Sequence, residues 1–275
     1  MEAPVDPAEP DLKRARIYDD VAGEYHRVSL PRLFAEPGRI LAARVAPSPG
    51  DRVLDVGAGP GSVARACAAR GAGVTLADAS IGMLREARRD GLGDCVVAML
   101  PSLPFSSGTF DAATSAFVMT HVDDADVAAL EMKRVLRPGG KVGLSAWYPA
   151  DDDAASEWSR IVRTFIDAAR VDSAVRETLP GDGRFARAGS LADLLGAAGF
   201  EAITSRDHHV ECALSADEYV VTREVSATGR ALRMLLSPAA WSRLRADALR
   251  ALAARFPGPI TFSRRFHTAV GTRPA

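Results

Sequence analysis

Residues 53–61 read VLDVGAGPG, an apolar strand that runs directly into a glycine-rich turn. Glycine adopts backbone conformations that other residues disfavour, so such a turn lets the backbone approach a ligand closely. A helix is predicted over 62–69, and its first N–H groups would present a partial positive charge to the same ligand. The stretch therefore predicts a site for an anionic group between a strand and a helix.

An acidic residue follows the turn at an informative distance. Asp78 lies 21 residues after Gly57, close to the ~20-residue offset at which a carboxylate hydrogen-bonds a ribose hydroxyl. This spacing indicates a nucleoside ligand. The dinucleotide pattern would place a glycine where Ser62 stands, and Asp55 would face an ammonium better than a pyrophosphate. A ligand with an amino acid at one end and adenosine at the other is favoured over NAD.

Strands alternate with helices around this turn, and the later part of the chain adds an antiparallel pair. Strands are predicted over 53–56, 74–77, 95–98, 110–116 and 141–147, with helices over 62–69, after Ser80, and from Asp123, Asp124 or Asp126 to Pro138-Gly139-Gly140. Alternation at this spacing predicts βαβ units and a parallel sheet covered on both faces. Residues 203–212 and 260–271 are predicted to pair as an antiparallel edge.

Composition limits the partners that this protein can have. Lys and Arg total 34 against 35 acidic residues, a net charge of -1, so no bulk field favours nucleic acid or a membrane surface. The three cysteines lie far apart without metal-ligand spacing, which indicates packing roles in a reducing cytoplasm and no metal. No apolar run approaches the ~20 residues of a membrane helix. We expect a cytoplasmic protein, monomer or homodimer, that binds small molecules.

Five segments together resemble the class I S-adenosylmethionine-dependent methyltransferases, in particular the branch of ubiquinone and menaquinone biosynthesis enzymes and natural-product methyltransferases. The segments are VLDVGAGPG (53–61), VTLADASIGMLREAR (74–88), LPFSSGTFDAATSAFVMTHVDD (103–124), RVLRPGGKVGLSAW (134–147) and LADLLGAAGFEAI (191–203). The resemblance implies a Rossmann-like, seven-stranded mixed sheet, mostly parallel with the last strand antiparallel, and S-adenosyl-L-methionine as cofactor.

The resemblance also implies roles for particular residues. The cofactor-binding set comprises Asp55 near the ammonium, Gly57, Ala58 and Gly59 along the methionine part, Asp78 at the ribose, Ala79 and Met83 beside the adenine, and Ser115 and Ala116 after the fourth strand. Family members usually carry an Asp six positions before the Phe of L-P-F, where this chain has Met99. Backbone groups and apolar contact with Met99 and Leu100 would then hold the adenine.

His121 is the candidate general base, because it matches the second His of the family's frequent L-H-H-x-x-D segment. A positioned His of this kind contributes ~10²–10⁴-fold to the rate, and the alternative is that it only orders its loop. Substrate contacts are expected from Phe117, Trp147 and Tyr148, with core packing as the alternative for the last two. Tyr18 and Tyr25 resemble residues of an N-terminal helix that folds over the cofactor, and they are expected to contact the substrate, with packing alone as the alternative.

These features predict a single methyltransferase domain over 1–275. Its parts are an acidic leader at 1–12, lid helices at 13–46 with a break at Pro37-Gly38, a cofactor-binding core at 50–148, and helical caps over the substrate pocket at 151–189 and 215–255. The predicted reaction is methyl transfer to O, N or C of a small-molecule metabolite of secondary metabolism, with cyclisation or another non-transfer reaction in the same fold as the alternative. An NAD-dependent oxidoreductase is the less favoured third reading.

Overall fold

The computed structural model describes residues 18–150 and 152–275. The predicted leader, the start of the predicted lid at 13–17 and Asp151 lie outside the described residues. The strands are β1 (Arg52–Val56), β2 (Gly73–Asp78), β3 (Asp94–Val97), β4 (Phe110–Ala116), β5 (Leu136–Trp147), β6 (Glu201–Leu214) and β7 (Ile260–Thr272). The helices are α1 (Ala22–Glu24), α2 (Ala35–Val45), α3 (Ser62–Ala68), α4 (Ile81–Arg89), α5 (Ala125–Val135), α6 (Asp153–Val162), α7 (Ala168–Thr178), α8 (Asp182–Phe185), α9 (Ser190–Ala197), α10 (Ala216–Glu224), α11 (Ala227–Leu235) and α12 (Pro238–Arg255). A π-helical segment, Tyr25–Phe34, joins α1 to α2, and a 3-10 turn, Met119–His121, follows β4.

The seven strands form one sheet in the order β3-β2-β1-β4-β5-β7-β6. Strands β1 to β5 run parallel, whereas β7 is antiparallel to both of its neighbours, β5 and β6. This confirms the predicted Rossmann-like mixed sheet. The chain leaves β1 toward β2 and returns on the other side of β1 as β4. Ligands of α/β sheets bind outside the carboxyl ends of the strands at such a switch point.

Hydrophobic residues of the strands bury both faces of the sheet. Leu54 joins a cluster with Met132 of α5, while its neighbour Val53 joins a cluster with Leu41 of α2. Successive strand residues point to opposite faces, so one strand contributes to both layers. A third cluster lies under α6, α10 and α12 and includes Trp158 and Phe266. None of the helices in the described ranges is long and apolar enough to cross a membrane.

The predicted break at Pro37-Gly38 is wrong, because both residues lie within α2 and are buried. Proline is tolerated in the first turn of a helix, where its missing N–H would have no partner within the helix. Gly38 serves close packing, since a Cβ at this position would lie 2.8 Å from the carbonyl carbon of Ser62 at the start of α3. The glycine therefore brings two helices together.

Two other segments differ in detail from the predictions. The helical cap predicted over 151–189 begins with two helices, α6 and α7, each of which has an aspartate cap: Asp152 Oδ1 accepts the N–H of Ala155, and Asp167 Oδ1 that of Ala169. Strand β5 begins at Leu136, five residues earlier than predicted. Its pairing with β4 is interrupted between Leu136 and Lys141, where the predicted Pro-Gly-Gly turn lies.

Candidate functional site

The glycine turn after β1 has a backbone that side chains would disturb. Gly57, Gly59 and Gly61 have φ values of 63°, 54° and 90°. A Cβ on Gly57 would lie 2.3 Å from Cγ2 of Val118, whereas a Cβ on Gly59 would meet nothing within 4 Å. A side chain at position 57 would therefore be disfavoured both by the backbone conformation and by the contact with Val118. At position 59 only the backbone conformation disfavours a side chain. Both glycines face the cavity described below.

Asp78 at the end of β2 connects the glycine turn to the start of α4. Its Oδ2 accepts the N–H of Gly59 at 2.7 Å, and its Oδ1 accepts the N–H of Ser80 at 2.8 Å. Burial raises the pKa of this carboxyl, and the two backbone hydrogen bonds counteract that shift. These bonds fix the carboxylate in place, and each carboxylate oxygen can still accept a further hydrogen bond.

Asp55 is buried beneath the same turn and has partners of its own. Its Oδ1 accepts the hydroxyl of Thr114 at 2.8 Å, and its Oδ2 accepts the N–H of Ala64 in the first turn of α3 at 3.1 Å. The side chain of Asp55 therefore occupies part of the N-terminus of α3, where the sequence predicts that an anionic group of the ligand binds. Burial raises the Asp55 pKa to about 7, although both hydrogen bonds lower it.

The N-terminal segment is fastened to the start of α4 by Asp19. Oδ1 of Asp19 accepts the hydroxyl of Ser80 at 2.6 Å and the N–H of Gly82 at 2.7 Å. A Cβ on Gly82 would lie 2.9 Å from the Cα of Asp19, so the glycine permits this close approach. The π-helical segment follows, and Pro31 inside it cannot donate a backbone hydrogen bond. This arrangement places Tyr18 and Tyr25 over the carboxyl edge of the sheet.

Tyr18 and His121 come together although 103 residues separate them in sequence. The Tyr18 hydroxyl lies 3.3 Å from Nε2 of His121, and the two rings meet edge to face with centroids 5.8 Å apart. On the other side, the guanidinium carbon of the buried Arg230 lies 3.5 Å from the centroid of the Tyr18 ring, a cation–π arrangement. Arg230 also donates from Nη1 to the carbonyl of Val225 at 2.6 Å.

Aromatic rings form a wall beyond the ends of β4 and β5. Phe117 stacks on Trp147 with centroids 4.2 Å apart and planes 10° apart. Phe34 of the π-helical segment meets both rings edge to face, at 5.6 and 5.8 Å. Phe117 has a φ of 62°, a conformation that is rare outside glycine. We define Phe34, Phe117 and Trp147 as the aromatic wall.

A cavity of about 790 Å³ connects these features. The predicted residues that line it are Tyr18, Tyr25, Gly57, Gly59, Asp78, Ala79, Met83, Met99, Leu100, Ala116, Phe117, His121, Trp147 and Tyr148. Three predicted residues do not line it. Asp55 and Ala58 border a small crevice beneath the glycine turn, and Ser115 is fully buried with its hydroxyl donating to the carbonyl of Val56.

The structure adds cavity residues that the sequence analysis missed. They include Ser29, Leu33 and Phe34 of the π-helical segment, Asp152 before α6, Tyr219, Thr222 and Arg223 of α10, and Phe262 and Arg264 of β7. A signal was present for some of them, because Ser29 and Leu33 follow Tyr25 at four-residue intervals, and Arg223 follows Tyr219 by four. For Phe262 and Arg264 the period of two along a strand gave no indication of which face lines a cavity.

Similarity to known proteins extends over most of this chain. Residues 54–144 match the model of a methyltransferase domain. Nocamycin O-methyltransferase from Saccharothrix syringae is 31% identical over 264 residues, covering 89% of this chain and 93% of that protein. The chain belongs to the S-adenosylmethionine-dependent methyltransferases. A demethylmenaquinone methyltransferase from Clavibacter sepedonicus is 38% identical over 133 residues, covering 46% of this chain and 54% of that protein, so the chain spans about half of its length.

The family assignment confirms the predicted resemblance and, at the level of the family, S-adenosylmethionine as cofactor. A solved structure, that of the cyclase SpnF, has a TM-score of 0.60 with 20% identity and 96% coverage of both chains. At that identity the likeness shows the fold alone. The described residues contain no group of three His, Cys, Asp or Glu side chains that could hold a metal ion.

Proposed function

We propose that this protein transfers a methyl group from S-adenosylmethionine to an oxygen, nitrogen or carbon atom of a small-molecule metabolite. One observation carries the proposal: a single cavity extends from Asp78 and the glycine turn, past His121, to side chains of the cap helices. Its volume of about 790 Å³ lies in the upper part of the ~300–1,000 Å³ range of small-molecule sites. The cavity is therefore large enough for a cofactor together with part of a substrate.

The residues present fit the cofactor. Asp78 would accept hydrogen bonds from the ribose hydroxyls, and its position is already fixed by two backbone N–H groups. The hydroxyl of Ser29 is buried and has no hydrogen-bond partner among the described residues, although Ser29 lines the cavity. A buried polar group that lines a cavity and has no protein partner is suited to bind a ligand atom. Met83 and Met99 would contact the adenine, and Asp55 would face the ammonium directly or through water.

S-adenosylmethionine supplies a methyl group already activated on a sulfonium, so the protein mainly has to align a nucleophile and exclude water. The aromatic wall would hold the substrate body. His121 would accept the proton of a hydroxyl or amine nucleophile at a ring nitrogen, and Tyr18 and Arg230 would hold the imidazole in place. If the nucleophile carries no proton to remove, His121 would instead only order the loop after β4.

The helices over 153–178 and 216–255 would form the cap over the substrate, and the segment from Tyr18 to Val45 would form the lid. Residues Tyr219, Thr222 and Arg223 support the cap role because they line the cavity. The likeness to nocamycin O-methyltransferase over 89% of this chain, cap included, supports a substrate from secondary metabolism. A cytoplasmic location is part of the same proposal.

The test is transfer of label from methyl-labelled S-adenosylmethionine to panels of phenolic, amine and polyketide-type acceptors. Before the acceptor is added, the chain should retain the labelled cofactor in equilibrium dialysis. Hydrogen bonds to a charged group contribute about 1.5–3 kcal/mol each, so Asp78→Ala should weaken retention by roughly 100-fold. Asp94→Ala is the matched control, because Asp94 is exposed and lies at the start of β3, away from the cavity. Unchanged retention in Asp78→Ala, or no labelled product from any acceptor class, would contradict the proposal.

A non-transfer reaction such as cyclisation is the second candidate, and the observation that favours it is Met99. This apolar side chain lines the cavity where relatives usually present an acid to the adenine. A cofactor that is bound only as a structural element needs less exact positioning than one that donates its methyl group. A product of unchanged mass formed from a linear precursor, with no label transferred, would support this candidate over methyl transfer.

A further inference from the structure

Two arginines from distant parts of the chain face the cavity at its cap end. Arg223 lies on α10 and Arg264 on β7, and both line the cavity. Arg264 lies between Phe262 and Phe266 on the same strand face, and its guanidinium carbon is 4.9 Å from the centroid of Trp147. Trp147 in turn stacks on Phe117 at the carboxyl end of β4. Arg264 therefore lies beside the aromatic wall.

Neither guanidinium has a hydrogen bond or an ion pair with another described side chain, and Nε of Arg223 is buried without a partner. Other arginines of the cap behave differently. Arg160 pairs with Glu157, Arg245 with Asp217 and Glu224, and Arg255 with Asp153. These three cap arginines therefore have carboxylate partners, whereas no ion pair joins Arg223 or Arg264 to a described carboxylate.

The electrostatic surroundings of the pair are positive. The charge of Arg223 adds to the effect of burial in lowering the pKa of Arg264. Asp152 is the acidic group that counteracts this shift most strongly, and its Oδ1 already accepts the N–H of Ala155 as a helix cap. Two guanidinium groups against one carboxylate leave an excess positive charge beside apolar side chains. Bringing an anion to such a place offsets the cost of burying two like charges.

We propose that Arg223 and Arg264 bind a carboxylate of the substrate, so that the accepted metabolite is a planar, largely apolar molecule with an acidic group at one end. Guanidinium groups present forked donors that match both oxygens of a carboxylate. The aromatic wall would hold the planar body, and the end opposite the carboxylate would point toward His121 and the cofactor. This assignment rests on the proposed function, since it names the substrate class of the same cavity.

The experiment compares hydroxynaphthoate with hydroxynaphthamide, two probes of nearly the same shape that differ in charge. Binding is measured by calorimetry on the full chain loaded with S-adenosylhomocysteine, so the readout does not require turnover. The acid should bind at least tenfold more tightly than the amide. Arg264→Gln and Arg223→Gln should each reduce that preference to less than threefold, while Arg243→Gln, an exposed arginine of the same cap outside the cavity, should leave it unchanged.

Equal binding of acid and amide by the unaltered chain would overturn the proposal, as would an acid preference that persists in both variants. Two single variants are used so that a folding defect in one leaves the other informative, and each is checked by thermal melting and by S-adenosylhomocysteine affinity. Methyl transfer to neutral phenols without an acid preference would refute the arginine site and keep the proposed function. An acid preference in binding without methyl transfer to any acceptor would support the arginine site and refute the proposed function.

Discussion

The two ends of the cavity differ in how their polar groups are satisfied. At the end beside the glycine turn, which the proposed function assigns to the cofactor and which we call the cofactor end, Asp78 and Asp55 each accept two hydrogen bonds from the protein. At the cap end, Arg223 and Arg264 have no such partners among the described residues. The first end is preorganised by the backbone for one ligand, whereas the second leaves charge available to whichever substrate can neutralise it.

The largest effect should follow from His121, which lies between the two ends. If His121 accepts the substrate proton, His121→Gln should lower kcat by roughly 10²–10⁴-fold and leave cofactor affinity unchanged. The measurement is steady-state kinetics across pH, because loss of a base also removes the acidic limb of the pH profile. A loss below threefold with the same pH profile would show that His121 only orders its loop. Tyr18→Phe is the companion variant, with a smaller expected loss since it removes a single hydroxyl.

The next largest effect concerns the stability of the glycine turn, which can be measured without a ligand. Gly57→Ala should lower the free energy of unfolding by about 2–5 kcal/mol, because a left-handed conformation costs an L-residue about 1–2 kcal/mol and overpacking adds about 1–3 kcal/mol. Gly59→Ala shares the positive φ but meets no atom within 4 Å. Gly59→Ala should therefore lower the free energy of unfolding by only about 1–2 kcal/mol. Denaturant unfolding of both variants measures the difference.

The clash explanation for Gly57 can be tested separately. Val118 supplies the atoms that an added Cβ would meet, the nearest at 2.3 Å. Combining Gly57→Ala with Val118→Ala should recover part of the lost stability relative to the sum of the single variants. Coupling of this kind is expected between residues in contact. Equal losses in the Gly57 and Gly59 variants, with no recovery in the double variant, would mean that conformation alone explains both glycines.

The fold around the glycine turn could largely be predicted from the sequence, and the residues that line the cap end of the cavity could not. The predicted strand 53–56 and the observed β1 differ by one residue, because an apolar run ending in glycines signals its own boundary. The false break at Pro37-Gly38 shows the limit of such local signals, since packing against Ser62 outweighed propensity. Arg264 reaches the cavity only because β7 inserts between β5 and β6, and no local pattern encodes that insertion.

A smaller effect should appear in the pH dependence of cofactor binding. Burial raises the Asp55 pKa to about 7, so the ligand-free carboxyl holds a proton below that pH. An ammonium beside it would favour the ionised form, and cofactor affinity should therefore rise through pH 7, by about tenfold between pH 6 and pH 8. Calorimetry in buffers of different ionisation enthalpy should detect proton release near pH 6. The Asp55→Asn variant shows how much of the change in affinity comes from titration of the ligand's own amine. The part of the rise between pH 6 and pH 8 that is due to Asp55 should be absent from this variant.

The stability of the ligand-free chain should respond with the opposite sign. The folded-state pKa of Asp55 lies above its value of 3.8 in the unfolded chain, so the folded state retains a proton that the unfolded state releases. The contribution of Asp55 to stability is therefore greatest below pH 4 and declines until about pH 7. Asp55→Asn should flatten this part of the stability profile. A variant profile that parallels the original one would mean that Asp55 is already ionised in the folded protein.

The smallest effect concerns Met99, at the margin of the cofactor end. Met99→Asp restores the acid that relatives usually place near the adenine amino group, and it should increase S-adenosylhomocysteine affinity by roughly three- to tenfold. This gain is lower than the full value of about 1.5–3 kcal/mol for a charged hydrogen bond, because the half-buried carboxylate loses part of its hydration. Met99→Asn provides a matched control, since its amide has a similar shape without the charge. A decrease in affinity with both substitutions would indicate that the adenine is held by apolar contact with Met99 itself.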